Sequence, residues 1–339
     1  MKEVKVEDAV GMVLCHDMTE IIPGKKKGCA FKKGHIVTEQ DIEKLLDMGK
    51  RHIFVWDLEE GYVHENDAAI RMAKAAAGSN ILLSEPKEGK VNLTAACKGL
   101  LSINVELLYD VNGDEQVCFS SIHGNKMVEK GKVLAGTRVI PLVVKEETVK
   151  AFERRCDQQG PIIQVKPFRS MRIGIVVTGS EVLDGRIQDQ FSPVLEEKAR
   201  ELGSQVMGKV LAGDDKERIR KEIINWMEKG AEMVWVSGGM SVDPDDRTPA
   251  AIRSLKGQVI TYGTPVLPGA MFMLSYVNGI PVVGLPGCVM YSKRTVFDLA
   301  IPRIMAGETL TRKDFVRMAH GGMCLNCENC VYPDCGFGA

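Results

Sequence analysis

Four short loops in the second half of the chain concentrate glycine, hydroxyl and carboxylate residues. They are Thr178-Gly179-Ser180-Glu181, Gly213-Asp214-Asp215, the run GGMSVDPDDRTP from Gly238 to Pro249, and Leu285-Pro286-Gly287. Glycines let backbone N–H groups approach a ligand together, and a helix N-terminus adds partial positive charge, so such loops favour phosphate. Asp214, Asp215, Asp246 and Glu181 at the same rim would repel that phosphate unless a divalent cation intervened. Carboxylate oxygens suit Mg2+, which bridges phosphate oxygens and neutralises their charge. The four loops together therefore describe a phosphate-plus-metal site. Taken singly each is weak: Gly238-Gly239 alone is a turn, Asp214 alone a helix cap, and Thr248-Pro249 alone a helix start.

A second concentration of chemistry lies at the end of the chain, HGGMCLNCENCVYPDCGFGA. Cys324, Cys327, Cys330 and Cys335 are spaced C-x2-C-x2-C-x4-C. Short spacings allow several thiolates to converge, and four thiolates either close a tetrahedral Zn2+ site or hold an iron–sulfur cluster such as 4Fe-4S. The bacterial ferredoxin run is C-x2-C-x2-C-x3-C-P. Here the last gap is one residue longer and the proline precedes the final cysteine. The residue pattern leaves zinc and iron–sulfur open. His320 reads as a loop histidine, and the other five histidines make no ligand spacing. Of the ten cysteines the remaining six are scattered. Cys288, after Leu285-Pro286-Gly287, has no base partner visible in the sequence and reads as a small buried hydrophobe.

The elements that must carry these loops alternate. Ile173 to Val177 is an apolar, β-branched run of the kind found in buried parallel strands. Ser192-Pro193 is expected to cap and open a helix running to about Leu202. Val206 to Leu211 is the next strand. Asp214 or Asp215 caps a helix with the face Ile219, Ile223 and Met227. Met233 to Val236, Val259 to Tyr262, Met271 to Tyr276 and Ile280 to Gly284 supply further strands, and a helix from about Met290 to Met305 closes the unit. The alternation implies an α/β fold, a mostly parallel open sheet with helices on both faces. In such sheets ligands sit beyond the carboxyl ends of the strands, where these loops fall.

Upstream, residues 1–85 read as a mixed α+β region. Thr38 and Asp41 form a capping box for a helix with the apolar face Ile42, Leu45 and Leu46, stopped by Gly49. His52 to Trp56 is a strand and Asn66 to Ala77 a helix. Residues 86–157 read as β-rich, with Leu100 to Val111 and Gln116 to Ile122 flanking Asn112-Gly113, a hairpin signal. The proline-bearing residues 158–170 form a linker, residues 171–310 the α/β domain, and residues 311–339 the cysteine-rich tail.

The chain has 339 residues, a length that favours two or three domains. Its 45% hydrophobic and 26% charged residues are those of globular domains. A formal net charge of −1 and the lack of any long basic block argue against nucleic acid as partner. Lys25-Lys26-Lys27 reads as a solvated loop. The amino terminus has no apolar core of a signal peptide, and no stretch approaches the roughly 18 apolar residues of a membrane span. A cytoplasmic protein is expected.

In order and spacing over about 110 residues the four loops resemble the MoaB/Mog domain, which occurs in molybdopterin adenylyltransferase and in molybdopterin molybdenumtransferase of the MoeA and gephyrin type. The likeness covers residues 171–307, and the GG…D-x-TP stretch is its most specific part. The resemblance implies that Gly238, Gly239 and Ser241 cradle the terminal phosphate of molybdopterin. It implies that Asp246, ninth in its loop, is an aspartate needed for activity, and that Asp214 is the acidic residue after the family's third element. Thr178 and Glu181 match a TG-x-E pattern, which includes Gly179 and Ser180, and Pro286 and Gly287 match an LPG turn. Asp214, Asp246 and Glu181 are thus the candidate catalytic residues.

Two departures stand out. Cys288-Val289 follows the LPG turn where the family often has Asn-Pro, and the first half lacks a Ser-x-x-Asp-Gly-Tyr-Ala segment. The expected function is molybdopterin binding in molybdenum or tungsten cofactor synthesis, by adenylylation with ATP or by insertion of molybdate or tungstate with Mg2+. Other cofactor-synthesis proteins or molybdoenzymes are the expected partners, and a homo-oligomer is expected by analogy. A non-catalytic carrier with a redox or docking tail is one alternative. A nucleotide pyrophosphatase of the competence-damage type is another.

Overall fold

In the run Arg172–Val177, Ile173, Ile175 and Val177 face one apolar core and Val176 faces another, so both sides of this strand are covered. Alternate side chains leave opposite faces of a strand, and a strand apolar on both faces belongs in the middle of a sheet. The computed structural model, which describes residues 2–22, 26–56 and 60–338, places it there. Six strands form the sheet: β1 (Arg172–Val177), β2 (Gln205–Leu211), β3 (Met233–Ser237), β4 (Gln258–Tyr262), β5 (Met273–Val277) and β6 (Ile280–Leu285). Their order is β2-β1-β3-β6-β5-β4. The first four run parallel, whereas β5 pairs antiparallel with both β6 and β4, so the sheet is mixed.

Among the described residues, seven helices belong to the same unit: α1 (Ser180–Leu183), α2 (Phe191–Glu201), α3 (Lys216–Glu228), α4 (Thr248–Ser254), α5 (Cys288–Tyr291), α6 (Val296–Met305) and α7 (Arg312–Arg317). Leu195 and Ala199 of α2 and the apolar residues of α6 bury against Ile173, Ile175 and Trp235. Ile219, Ile223 and Trp226 of α3, with Ala251 and Ile252 of α4, cover the opposite face at Val176, Val234 and Val236. Gly174 and Gly208 make room for the Trp226 indole. A Cβ on Gly174 would lie 2.4 Å from its Cγ, and one on Gly208 would lie 2.8 Å from its Cη2.

The local expectations fare unevenly. The single helix from Met290 to Met305 is two, because Thr295 and Asp298 form a capping box that restarts the chain as α6. Helix α2 begins at Phe191, one residue before the expected cap. Asp189 does the capping, accepting from the N–H groups of Phe191 and Ser192. Asp215, not Asp214, caps α3 by accepting from Arg218 N.

By contacts the chain divides into two compact units, residues 1–97, 103–122 and 130–165, and residues 98–102, 123–129 and 166–339. In the first, Lys2–Lys5 pairs antiparallel with His52–Val55, and Met18–Ile22 with Lys26–Phe31. Lys26 and Lys27 thus open a strand instead of a loop, while Lys25 lies outside the described residues. The helix Glu39–Asp47 has the expected capping box and buries Leu45, but Leu46 is 41% exposed and leaves the apolar face. The expected Asn112-Gly113 hairpin does not form. Val105–Val111 is a helix whose buried residues Leu107 and Val111 are four apart, capped at its start by Asn104. Asn112 has φ of −78° and turns its amide onto the backbone of Phe119. A four-stranded antiparallel sheet, with Val91–Ala95 and Val133–Val139 central, and the helix pair Glu65–Ala76 and Glu146–Gln159 complete this unit. No helix among the described residues is long and apolar enough to cross a membrane.

Candidate functional site

The parallel register sets four strand ends in one row. Leu211 pairs with Val177, Val177 with Ser237, and Ser237 with Leu285. Each is the last residue of its strand, so the loops that follow all leave the same edge of the sheet. The four loops singled out in the sequence are those loops. The structure therefore gathers Thr178–Glu181, Gly213–Asp214, Gly238–Ser241 and Pro286–Gly287 along one rim.

Contacts then join neighbouring loops. Asp214 Oδ2 accepts the backbone N–H of Ser180 at 2.7 Å. With Asp215 occupied as the cap of α3, Asp214 is left to hold the first loop to the second. Gly213 has φ of +62°, and a Cβ there would lie 2.9 Å from Leu183 Cδ2. Thr178 is buried and donates its hydroxyl to Ser237 O at 3.1 Å. Thr248 is also buried; its Oγ1 donates to Gly238 O at 2.8 Å and stands 3.4 Å from Thr178 Oγ1. Gly238 and Gly239, with φ of +89° and +56°, are wedged between these threonines. A Cβ on Gly238 would lie 2.7 Å from Thr178 Oγ1, and one on Gly239 2.9 Å from Thr248 Oγ1. Both left-handed φ and close approach demand glycine.

The Gly238 loop turns its carbonyls inward. Tyr262 donates its phenol to Met240 O and Ser241 O at 3.0 and 3.2 Å. Among the described residues, the backbone N–H groups of residues 239–241 donate no hydrogen bond to another backbone group. This is the polarity an anion needs. Asp246 closes the distal half of the loop by accepting Asp243 N–H at 3.0 Å. Burial pushes the Tyr262 phenol up; Arg253, stacked 5.0 Å from its ring, pulls it down, and the Asp246 charge pushes it up again. Asp246 and Tyr262 thus feel one another across this loop. Glu181 is exposed and folds back on its own turn, its carboxylate 2.9 Å from where a Gly179 Cβ would be. Ser241 and Gly287 are exposed, and Pro286 is buried behind them.

Sequence reasoning passed over three contributors. Thr248 reads in the sequence as a helix start at the end of the GG…D-x-TP run, and Tyr262 as the end of a strand. Ser237 ends an otherwise apolar strand, and its buried hydroxyl has no partner among the described residues. A lone serine closing the run Met233-Val234-Trp235-Val236 was the signal available for the last. Cys288 is half-buried, and burial raises its thiol, which suits an unreactive packing residue.

The tail is ordered against the sheet domain. Phe337 is 5% exposed and packs in the same core as Trp235 and Phe297, with Tyr332, Cys324 and Cys335 beside it. The four tail cysteines do not meet at one point: among the described residues no group of three or more His, Cys, Asp or Glu side chains forms a ready metal cage. They line instead one cavity of about 740 Å³, with Cys327 and Cys330 exposed and Cys324 and Cys335 half-buried. The same holds at the rim, where Asp214 and Asp246 offer carboxylates without a third protein ligand.

Comparison with known proteins bears on parts of the chain separately. The family described as "Probable molybdopterin binding domain" matches residues 174–306, and a family described only as a domain of unknown function matches residues 3–57. A CinA-like protein of Mycobacterium sp. (strain MCS) is 34% identical over 95 residues, 28% of this chain and 23% of that protein. A CinA-like protein of Mycobacterium tuberculosis is 37% identical over 79 residues, 23% of this chain and 18% of that protein. The chain thus spans about a quarter or less of the curated relatives it matches. Among solved structures, the molybdopterin biosynthesis enzyme MoaB of Thermus thermophilus is 20% identical with a TM-score of 0.35, covering 41% of this chain and 98% of that one. The tungsten cofactor synthesizing protein MoaB of Pyrococcus furiosus is 19% identical with a TM-score of 0.32, covering 36% and 84%.

Proposed function

We propose, for a chain whose residues 174–306 are a MoaB/Mog-type molybdopterin-binding domain, that it binds molybdopterin and acts in synthesis of the molybdenum or tungsten cofactor. The observation that carries this reading is the Gly238–Ser241 turn: two left-handed glycines locked against Thr178 and Thr248, the carbonyls of Met240 and Ser241 held by Tyr262, and the N–H groups of residues 239–241 donating to no other backbone group. Those N–H groups and the Ser241 hydroxyl would take the terminal phosphate of the pterin. Asp214 and Asp246 would hold Mg2+ against phosphate oxygens, where the ion supplies charge neutralisation. Glu181, exposed on the neighbouring loop, would assist as a proton acceptor. Pro286 and Gly287 would bound the pterin from the third strand end.

The chemistry so served is adenylylation of molybdopterin with ATP, or insertion of molybdate or tungstate into the activated dithiolene. The tail cysteines are read as a metal-holding module. Cofactor-synthesis proteins or molybdoenzymes as partners, self-association and a cytoplasmic location belong to the same reading. The test is to supply the purified chain with molybdopterin, Mg·ATP and molybdate and look for adenylylated or metal-loaded cofactor. Product that forms with the native chain and not with Asp246→Ala supports the enzyme. Tight pterin binding with no product, unchanged in Asp246→Ala, leaves a carrier.

A second reading is favoured by the CinA-like relatives, whose likeness to this chain includes no more than 97 residues in those described. On that reading the rim binds a nucleotide and the reaction is pyrophosphate hydrolysis. Turnover of ADP-ribose by a chain without affinity for molybdopterin would select it.

A further inference from the structure

We infer that the cavity walled by the carboxyl-terminal tail is the binding site of a four-iron, four-sulfur cluster, ligated by Cys324, Cys327, Cys330 and Cys335. This rests on reading the tail as metal-holding and is independent of what the glycine rim binds. The observation behind it is that all four thiols line one and the same cavity, while of the other cysteines Cys118 lines a separate one. With a volume of about 740 Å³, the cavity has room for a polynuclear centre. A tetrahedral Zn2+ draws its sulfurs to about 2.3 Å and so to within roughly 4 Å of one another. Among the described residues no three of these thiols converge on one point as a single ion would need, and a cube of iron and sulfide holds its ligand sulfurs farther apart than one zinc does. The first three cysteines keep the C-x2-C-x2-C spacing of cluster-binding ferredoxins. The fold then brings Cys335, one residue late in sequence, to the same wall.

The frame round the cysteines is pinned while the ligand-bearing turns stay open. Leu267 N–H donates to Gly322 O and Cys324 N–H to Leu267 O, both at 2.8 Å, which clamps the start of the tail. The Lys126 ammonium donates to the carbonyls of Pro333 and Cys335. Tyr332 donates its phenol to Asp298 O at 2.9 Å, and Lys293 donates to Glu328 O at 2.8 Å. These bonds fix the backbone on both sides of Cys327 and Cys330 without engaging their sulfurs.

Charge at the wall agrees. A cluster held by four thiolates is net negative; Lys293 and Arg294, the latter ion-paired with Asp298, line the cavity against the single carboxylate Glu328. The Arg294 guanidinium lies 4.9 Å over the Tyr332 ring, and its Nε is buried with no acceptor among the described residues. A cluster sulfide or ligand thiolate would be that acceptor, and such bonds tune cluster potential. Each thiol releases its proton to solvent as its sulfur–iron bond forms. The cavity wall begins at Tyr291, the end of the four-residue α5 that starts one residue past Gly287, so cluster and rim would share an element.

The test uses the full-length chain purified without oxygen, and a portion reconstituted with ferric iron, sulfide and dithiothreitol. Metal and acid-labile sulfide are measured, with absorbance spectra and electron paramagnetic resonance of the dithionite-reduced protein. About four iron and four sulfide per chain, with a broad band near about 400 nm, are expected. Cys327→Ser, at an exposed position, should lose most of the band and keep its thermal midpoint; Cys97→Ser should keep both. One zinc per chain with no visible band overturns the cluster and leaves a metal-holding tail. No bound metal under either preparation overturns both. A band that survives Cys327→Ser undiminished overturns the ligand assignment. Molybdopterin binding by Cys327→Ser, measured separately, reports on the rim alone.

Discussion

Asp214 accepts the backbone N–H of Ser180 at 2.7 Å, and that bond joins two loops that are 34 residues apart in the chain. It gives Asp214 a structural task, which substitution separates from the chemical one proposed for it. Asp214→Asn keeps an oxygen that can accept from Ser180 and loses the charge. Its stability should fall by no more than about 1 kcal/mol, while Mg2+-dependent conversion of molybdopterin should drop at least about tenfold. Asp214→Ala removes acceptor and charge and should lower both. Thermal melts paired with product assays check this; wild-type turnover in Asp214→Asn would remove the carboxylate from the chemistry.

Gly238→Ala tests the glycine turn. The position has φ of +89°, and the added methyl would meet Thr178 Oγ1 at 2.7 Å and Thr178 O at 2.8 Å. The cost should be about 1–3 kcal/mol, seen in chemical denaturation, with pterin affinity falling because the loop must move off Thr178. Thr248→Val, which keeps the shape and loses the hydroxyl bond to Gly238 O, should give a smaller loss in the same direction.

Asp298 is the central anion of a buried charged cluster. Lys198 and Arg294 each approach it at 2.9 Å, and its own second oxygen closes the capping box of α6 at Thr295 N. Lys198 and Asp298 are 9% and 4% exposed. Removing one partner of such a pair leaves buried charge uncompensated, so Asp298→Ala should cost about 3–5 kcal/mol. Equilibrium unfolding in urea measures it. A loss under 1 kcal/mol, by the same principle, would mean that water reaches the cluster.

Asp314 carries a pH dependence whose sign is definite. Burial pushes its carboxyl up, but hydrogen bonds from Thr311 and the Arg303 guanidinium outweigh that and hold it at about 2. A carboxyl lowered in the folded state contributes stability that is present above its unfolded pKa and lost as pH falls toward the folded one. Native protein should therefore lose this contribution between about pH 4 and pH 2. In Asp314→Asn the acid limb of stability against pH should be shallower. An identical limb in both proteins would place the sensitivity elsewhere.

Much of the α/β unit was legible because its signals are local. Buried strands such as Ile173 to Val177 are written as apolar β-branched runs, and the capping pair Thr38 and Asp41 works within one turn. The four loops could be named from glycine and carboxylate content, because tolerance of a positive φ depends on residue type. The errors came where two local signals competed. Asn112-Gly113 is a turn pair, yet the helical spacing of Leu107 and Val111 and the Asn104 cap prevailed, leaving Asn112 to bond Phe119. Leu46 was counted apolar by type, but its turn of the helix faces out.

The chain by itself determined which residues have the chemistry of a phosphate rim and which four thiols lie close in sequence. Only the fold decided that Leu211, Val177, Ser237 and Leu285 end level, so that loops spread over about 110 residues share one edge. It alone assigned capping to Asp215 and loop-tying to Asp214, set Thr248 against Thr178, and opened the cysteines round a cavity. Strand register and side-chain burial depend on contacts between residues far apart in the chain, and no window of sequence contains both partners.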